Sequence, residues 1–410
     1  MVTNLKEKAD NYIVFSSAIS NNVLKGQFHK LFGIKRKRNE FIRSGLDVDI
    51  FTTQLLNEKI ISFDELNDFL FNELFYGIHK HVYIRKIRNY KYDLTHENNV
   101  LRILKTCYDI HEIDYNNISS TIFKHDENDV KLVAVRVIKE ANKIEKIRLI
   151  YGEKVSKLDG NKQYNENSYT CIEIDLRKNL IITKVAPKSN VIGDTKKPSS
   201  IELKNTKDAL GKFGIYTEVY GHSHREVLFN ISKSLSDELF SKADYEEPKE
   251  IDDLISEFSR KILDKINICN MKGNSNANLQ AQVNKLIQQI KITSILEETE
   301  IGNMNLTGKI SYLKFKDCDS VKAVLKSKRI RESLADSEAY FGLKNSIENS
   351  KELEMLRVVW YHGGEEVVIK HDASDINVLF MQFYTKLDEG DFYYVLEKYE
   401  EFQRKHNGKI

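Results

Sequence analysis

Proline occurs only three times in this 410-residue chain, cysteine four times and tryptophan once. So little proline excludes a proline-rich linker or an extended polyproline ligand as the body of the protein. The cysteines, at 107, 171, 269 and 318, lie dozens of residues apart with no Cys-x-x-Cys spacing. That scatter fits reduced, mostly buried thiols and argues against a disulfide framework or a zinc site. The longest apolar runs, such as "NLIITKVA" and "NVLFMQF", fall far short of the roughly 20 residues that a membrane-spanning helix needs. The opening "MVTNLKEKADNYIVFSS" mixes lysines with acids and holds no long apolar stretch before a small-residue cleavage site. A cytoplasmic protein without a membrane segment is expected. Also missing are a glycine-rich phosphate loop ending in Lys-Ser/Thr, a dinucleotide fingerprint and a nucleophile elbow. Nothing therefore points to nucleotide-driven or serine-hydrolase chemistry, no cofactor is expected, and a non-enzymatic role is the stronger expectation.

What is present is globular: 41% hydrophobic and 30% charged residues, enough to bury a core. Charge is unevenly spread. Residues 1–215 carry 36 Lys+Arg against 28 Asp+Glu, a surplus of 8, and the remainder 27 against 33, a deficit of 6, which together make the net charge of +2. A basic front half suggests an anionic partner, although a contact between the two halves would use the same charges. The lean toward lysine, asparagine and isoleucine suits an AT-rich bacterial or phage genome, a setting compatible with host defence or mobile-element regulation.

Element patterns predict an α+β fold in four segments. Residues 1–125 read as a mainly helical basic region, with a capping box in "SFDE" at Ser62 opening a helix that ends near Gly77. Residues 126–215 read as an antiparallel sheet with a lysine-rich loop. In it "KLVAVRVIKE", "EKIRLIYG", "YTCIEIDL" and "NLIITKVA" form a meander with one buried face, and 187–211 is expected to be linker. Residues 216–306 read as a helical hairpin or bundle, and 224–298 is the stretch expected to serve self-association or a protein partner. Residues 307–410 read as a mixed α+β domain. Here "KISYLKF" is a strand, "SVKAVLKSKRIRESLADSEAYF" a helix, Gly363-Gly364 a hairpin turn, and two helices close the chain, the first burying Leu379, Phe380 and Phe383.

The candidate site is basic and aromatic. In "YIRKIRNYKYD", Arg85, Lys86, Arg88, Tyr90, Lys91 and Tyr92 interleave cations that can neutralise phosphates with rings on which bases can stack. Strand and helix patterns both fit this stretch, and a strand fits only with a bulge. Lys35, Arg36, Lys37, Arg38 and Arg43 in "IKRKRNEFIR" form a second cluster, and Lys326, Lys328, Arg329 and Arg331 a third. The plain alternative is a solvated charged face whose tyrosines cover the core. The expected function is nucleic-acid binding without catalysis, DNA ahead of RNA. A protein-interaction adaptor or subunit of a larger complex is the alternative. A third reading is a divergent metal-dependent nuclease built on Glu202 and Lys204 with Asp175 or Asp194 upstream, although the polar setting of "KKPSSIELK" does not resemble the apolar strand such a site uses. Two His-x-His pairs, His79/His81 and His222/His224, lack a spaced third ligand, so no metal site is assigned.

Overall fold

The computed structural model describes residues 55–78, 80–118, 130–192, 197–220, 224–242, 249–265, 305–316, 322–334 and 337–407, with some helical residues between 279 and 294. In chain order these hold α1 (Phe63–Phe75), β1 (Gly77–Ile78), β2 (His81–Tyr90), α2 (Glu97–Tyr108), β3 (Tyr115–Asn116), β4 (Lys131–Glu140), β5 (Lys143–Asp159), β6 (Lys162–Asp175), β7 (Leu180–Val185), α3 (Pro198–Phe213), β8 (Ile215–Glu218), α4 (His224–Lys242) and α5 (Lys249–Lys265). They continue with β9 (Gly308–Lys316), β10 (Lys322–Lys326), α6 (Glu338–Ser350), β11 (Met355–His362), β12 (Glu365–Asp372), β13 (Leu379–Phe383), β14 (Lys386–Leu387) and α7 (Glu389–Asn407). The fold is mixed α+β, and it divides into two compact units, Met1–His222 with Asp375–Glu389 and Ser223–Ser374 with Gly390–Ile410.

In the first unit the strands run antiparallel in the order β13-β2-β7-β6-β5-β4-β3, with β8 beside the far end of β2. The meander β4 to β7 forms as the alternation dictates. The β4–β5 turn places Ala141 and Asn142 both at positive φ, as a two-residue hairpin of matching twist requires. α1 starts with the expected capping box: the Ser62 hydroxyl accepts from the Glu65 amide, and the Glu65 carboxylate accepts from the Ser62 amide at 2.8 Å.

Both faces of this sheet are covered, where the sequence suggests one. On one face α3 lays Ala209 and Phe213 over Ile147, Leu149, Ile172, Ile174 and Ile181. On the other lie Arg148, Glu173 and Lys184, all buried, with Phe75 and Tyr76 at the end of α1 stacked over the two cations. Arg148 donates to Glu173 at 2.5 Å and also to Glu389. Charged side chains at alternate positions read as solvent-facing; here Arg148 and Glu173 pair with one another beneath a helix, and the Lys184 ammonium lies against the Phe75 and Tyr76 rings. Burial pushes the Lys184 ammonium down to about 7, against the pull of Glu173.

The stretch expected to be linker contains α3. Pro198 suits the first helical turn, and Gly214 closes the helix at φ 65°. Its inward stripe, Ile201, Glu202, Asn205, Thr206, Ala209 and Phe213, is half polar. A reading keyed to apolar periodicity therefore passes over it.

The second unit carries the antiparallel sheet β10-β9-β11-β12. Its hairpin turns on Gly363 and Gly364, both at positive φ, as the sequence implies. α4 buries Val227, Leu228, Ile231, Leu235 and Leu239. Two assignments change. "KAVLK" is strand β10, followed by an irregular turn in which the Ser327 hydroxyl donates to the carbonyls of Ser311 and Arg329, and the helix begins only at the Ser337 cap. Residues 379–383, read as helix, form β13 in the first unit: Leu379, Met381 and Phe383 are the buried positions, a period of two. Among the described residues no helix is long and apolar enough to cross a membrane.

Candidate nucleic-acid interface

β2 meets different neighbours along its length. From His81 to Ile84 it lies between β13 and β7, so its side chains face covered surfaces. Beyond Lys86 its outer edge pairs instead with the short β8, where Ile87 aligns with Thr217 and Asn89 with Tyr216. Arg88 is the extra residue of that bulge, matched to nothing on β8. Bulges re-aim side chains out of the ladder, which is how Ile87 stays buried while Arg88 and Asn89 are exposed.

The structure separates the candidate residues into two groups. Arg85 is clamped by both oxygens of the buried Glu202 carboxylate, the second bond at 3.0 Å, and Glu202 also accepts from the Thr206 hydroxyl at 2.9 Å. Lys86 is half-buried with its ammonium 5.0 Å from the Tyr220 ring centre. Tyr90 donates to the Asn179 side chain at 3.0 Å, and burial with the nearby Asp175 carboxylate pushes its hydroxyl up to about 12. Tyr92 packs against the α2–α3 core. These four hold the fold together.

Arg88 and Lys91 face solvent. Lys91 is fixed at the backbone, its amide donating to the Gly214 carbonyl at 2.7 Å. Only glycine fits there: a Cβ on Gly214 would lie 2.7 Å from the Lys91 Cβ and 3.1 Å from the Tyr92 ring, and φ is positive. The Lys91 ammonium stands 5.2 Å from the centre of the Tyr92 ring, and the Arg102 guanidinium from α2 stands 5.5 Å from the same centre. The Tyr92 hydroxyl, and less strongly Tyr216, hold the Lys91 ammonium above its ordinary range. Arg88, Lys91 and Arg102 have no carboxylate partner among the described residues, in contrast to Lys212 nearby, which pairs with Asp208 at 2.9 Å. Tyr216 on β8 is 56% exposed and level with Asn89.

Sequence reasoning missed Arg102 and Tyr216. Arg102 sits among the polar positions of an ordinary amphipathic helix, and its approach to Tyr92 is a tertiary event. Tyr216 carried a usable signal, since "GIYTE" alternates Ile215 inward and Tyr216 outward after the helix-ending Gly214.

Of the other candidates, Lys35, Arg36, Lys37, Arg38 and Arg43 lie outside the described residues, as do His79 and His222. His81 meets Phe380 edge-on at 5.3 Å, and His224 is buried against the Tyr399 hydroxyl. Lys328, Arg329 and Arg331 follow β10 in an irregular turn, where Arg329 and Arg331 approach Glu332 and Glu366. Glu202 and Lys204 occupy α3, neither loop nor strand. Glu202 points inward to Arg85, while Lys204 is 54% exposed and 3.6 Å from Glu153. Asp194 lies outside the described residues, and Asp175, level with Leu180, lies on the opposite sheet face from Thr183, to which α3 bonds through Thr206. These three groups do not converge. Among the described residues no group of three or more His, Cys, Asp or Glu side chains is placed to hold a metal ion.

Comparison with known protein families, with characterised proteins and with solved structures finds no match for this chain.

Proposed function

We propose that the outer end of β2 is a nucleic-acid-binding surface, with DNA the favoured ligand. The observation that carries this reading is the gathering of three exposed cations without carboxylate partners among the described residues, Arg88, Lys91 and Arg102, beside the solvent-facing Tyr216. Cations left unneutralised by the protein are available to phosphates, and an exposed ring next to them offers a base a face to stack on. Arg85, Lys86, Tyr90 and Tyr92 act in this reading as the frame that fixes those groups. Binding of this kind is led by the backbone, with the two guanidiniums and the ammonium set against phosphates.

Fluorescence anisotropy with short single- and double-stranded DNA and RNA, across a salt titration with magnesium present, tests it. Tight binding that weakens steeply with salt is expected, with the nucleic acid recovered intact. Absence of binding at low salt overturns the proposal and turns attention to an acidic protein as the partner.

A further inference from the structure

α5 is amphipathic in the wrong direction for a helix that only serves its own core. It buries Ile255 and Ser259, yet Leu254 and Phe258, one turn apart on a neighbouring stripe, are 64% and 51% exposed. Two large apolar side chains exposed side by side on one helix need a cover.

The charge order along the helix indicates which cover fits. In "KEIDDLISEFSRKILDK" the half before Phe258 carries Glu250, Asp252, Asp253 and Glu257 against one lysine, and the half from Phe258 onward carries Arg260, Lys261 and Lys265 against Asp264. A helix that is acidic, then apolar, then basic is complementary to itself when reversed. We propose that α5 pairs with α5 of a second copy of this chain, antiparallel about a two-fold axis passing between Leu254 and Phe258. Leu254 of one copy then meets Phe258 of the other, twice, and the acidic half of each helix runs alongside the basic half of its partner. This is the isologous arrangement that closed homodimers use. A nucleic-acid-binding protein gains from such pairing, since two basic surfaces on one particle engage one strand with higher avidity. The dimer itself does not depend on that function.

Sedimentation equilibrium of the full chain over roughly 1–100 µM, a range that brackets ordinary weak-to-moderate association, reads the assembly directly. Twice the chain mass is expected, falling to the monomer mass in Leu254→Glu/Phe258→Glu with unchanged circular dichroism. Arg260→Glu/Lys261→Glu, which sets acid against acid, is expected to weaken the dimer by at least tenfold, and adding Asp253→Lys/Glu257→Lys to restore it, a rescue that neither a misfolded variant nor a non-specific contact would give. A second exposed pair at the same spacing, Leu286 and Ile290, serves as the comparison. A wild-type chain that stays monomeric overturns the proposal. So does a dimer that survives the Leu254/Phe258 change, or one broken by Leu286→Glu/Ile290→Glu but not by it. Failure of the charge swap to restore association overturns the antiparallel register.

Discussion

Arg85 and Arg88 stand three residues apart on one strand, yet the Arg85 side chain is 12% exposed and clamped by Glu202, while Arg88 projects from a bulge into solvent. Their residue type and local composition are the same. What differs is the neighbour: Arg85 lies under α3, whose Glu202 reaches down to the sheet, and Arg88 lies where β8 replaces β13 and the ladder slips by one residue. A cation's task is set by whether a carboxylate meets it on folding. Spent cations stabilise the unit, and unspent ones are free for a ligand.

The largest test of this contrast is to strand the inner cation. Glu202→Ala leaves Arg85 buried without its carboxylate, and removal of one partner of a buried pair costs about 3–5 kcal/mol. Urea unfolding should show that loss, with binding of the residual folded protein unchanged.

A buried ionisable group in the second unit extends the same logic to pH. His371 is fully buried, neither of its ring nitrogens finds a hydrogen-bond partner among the described residues, and burial first, then the facing His224, pushes its pKa down to about 3. It stacks on the Tyr399 ring at 5.7 Å between centres. Because the folded pKa lies below the unfolded value of about 6.5, the unfolded chain takes the proton first. Stability of this unit is therefore intact above about pH 6.5 and declines as pH falls toward 3, by up to about 1.4 kcal/mol per unit. His371→Leu should flatten that decline in thermal melts between pH 6.5 and 4.

Smaller in free energy, but more specific, is the outer group. Arg88→Ala/Lys91→Ala/Arg102→Ala should weaken DNA binding at least tenfold, about 1.4 kcal/mol, while leaving thermal stability within about 0.5 kcal/mol, as expected for exposed residues away from caps and cores. Tyr216→Ala should have the smallest effect, about 1 kcal/mol, confined to single strands whose bases can reach its ring.

Much of the architecture was legible from residues alone. The meander from Lys131 to Val185, the Ser62 capping box and the Gly363-Gly364 hairpin follow from period-two alternation, a four-residue cap pattern and the need for positive φ. Three features were not. α3 hides because Glu202, Asn205 and Thr206 fill its inward stripe, and only their partners Arg85, Thr170 and Thr183 make that stripe buriable. Arg148, Glu173 and Lys184 look like a solvated face because each is buried by virtue of the others. Residues 379–383 look helical because Phe380 lies next to Leu379, and the strand's pairing with β2 decides otherwise. At the candidate site the basic stretch was visible, but which of its cations are spent was not, since Glu202 lies 117 residues away from Arg85.

The most direct test of that division is the slope of log binding constant against log salt concentration for the wild-type chain and for Arg88→Ala/Lys91→Ala/Arg102→Ala on one DNA. Each phosphate contact contributes roughly 0.7–0.9 to the slope, so loss of three should flatten it by about 2–3. Parallel lines for the two proteins would contradict the account, because the cations that the fold leaves unspent would then not be the ones that meet the phosphates.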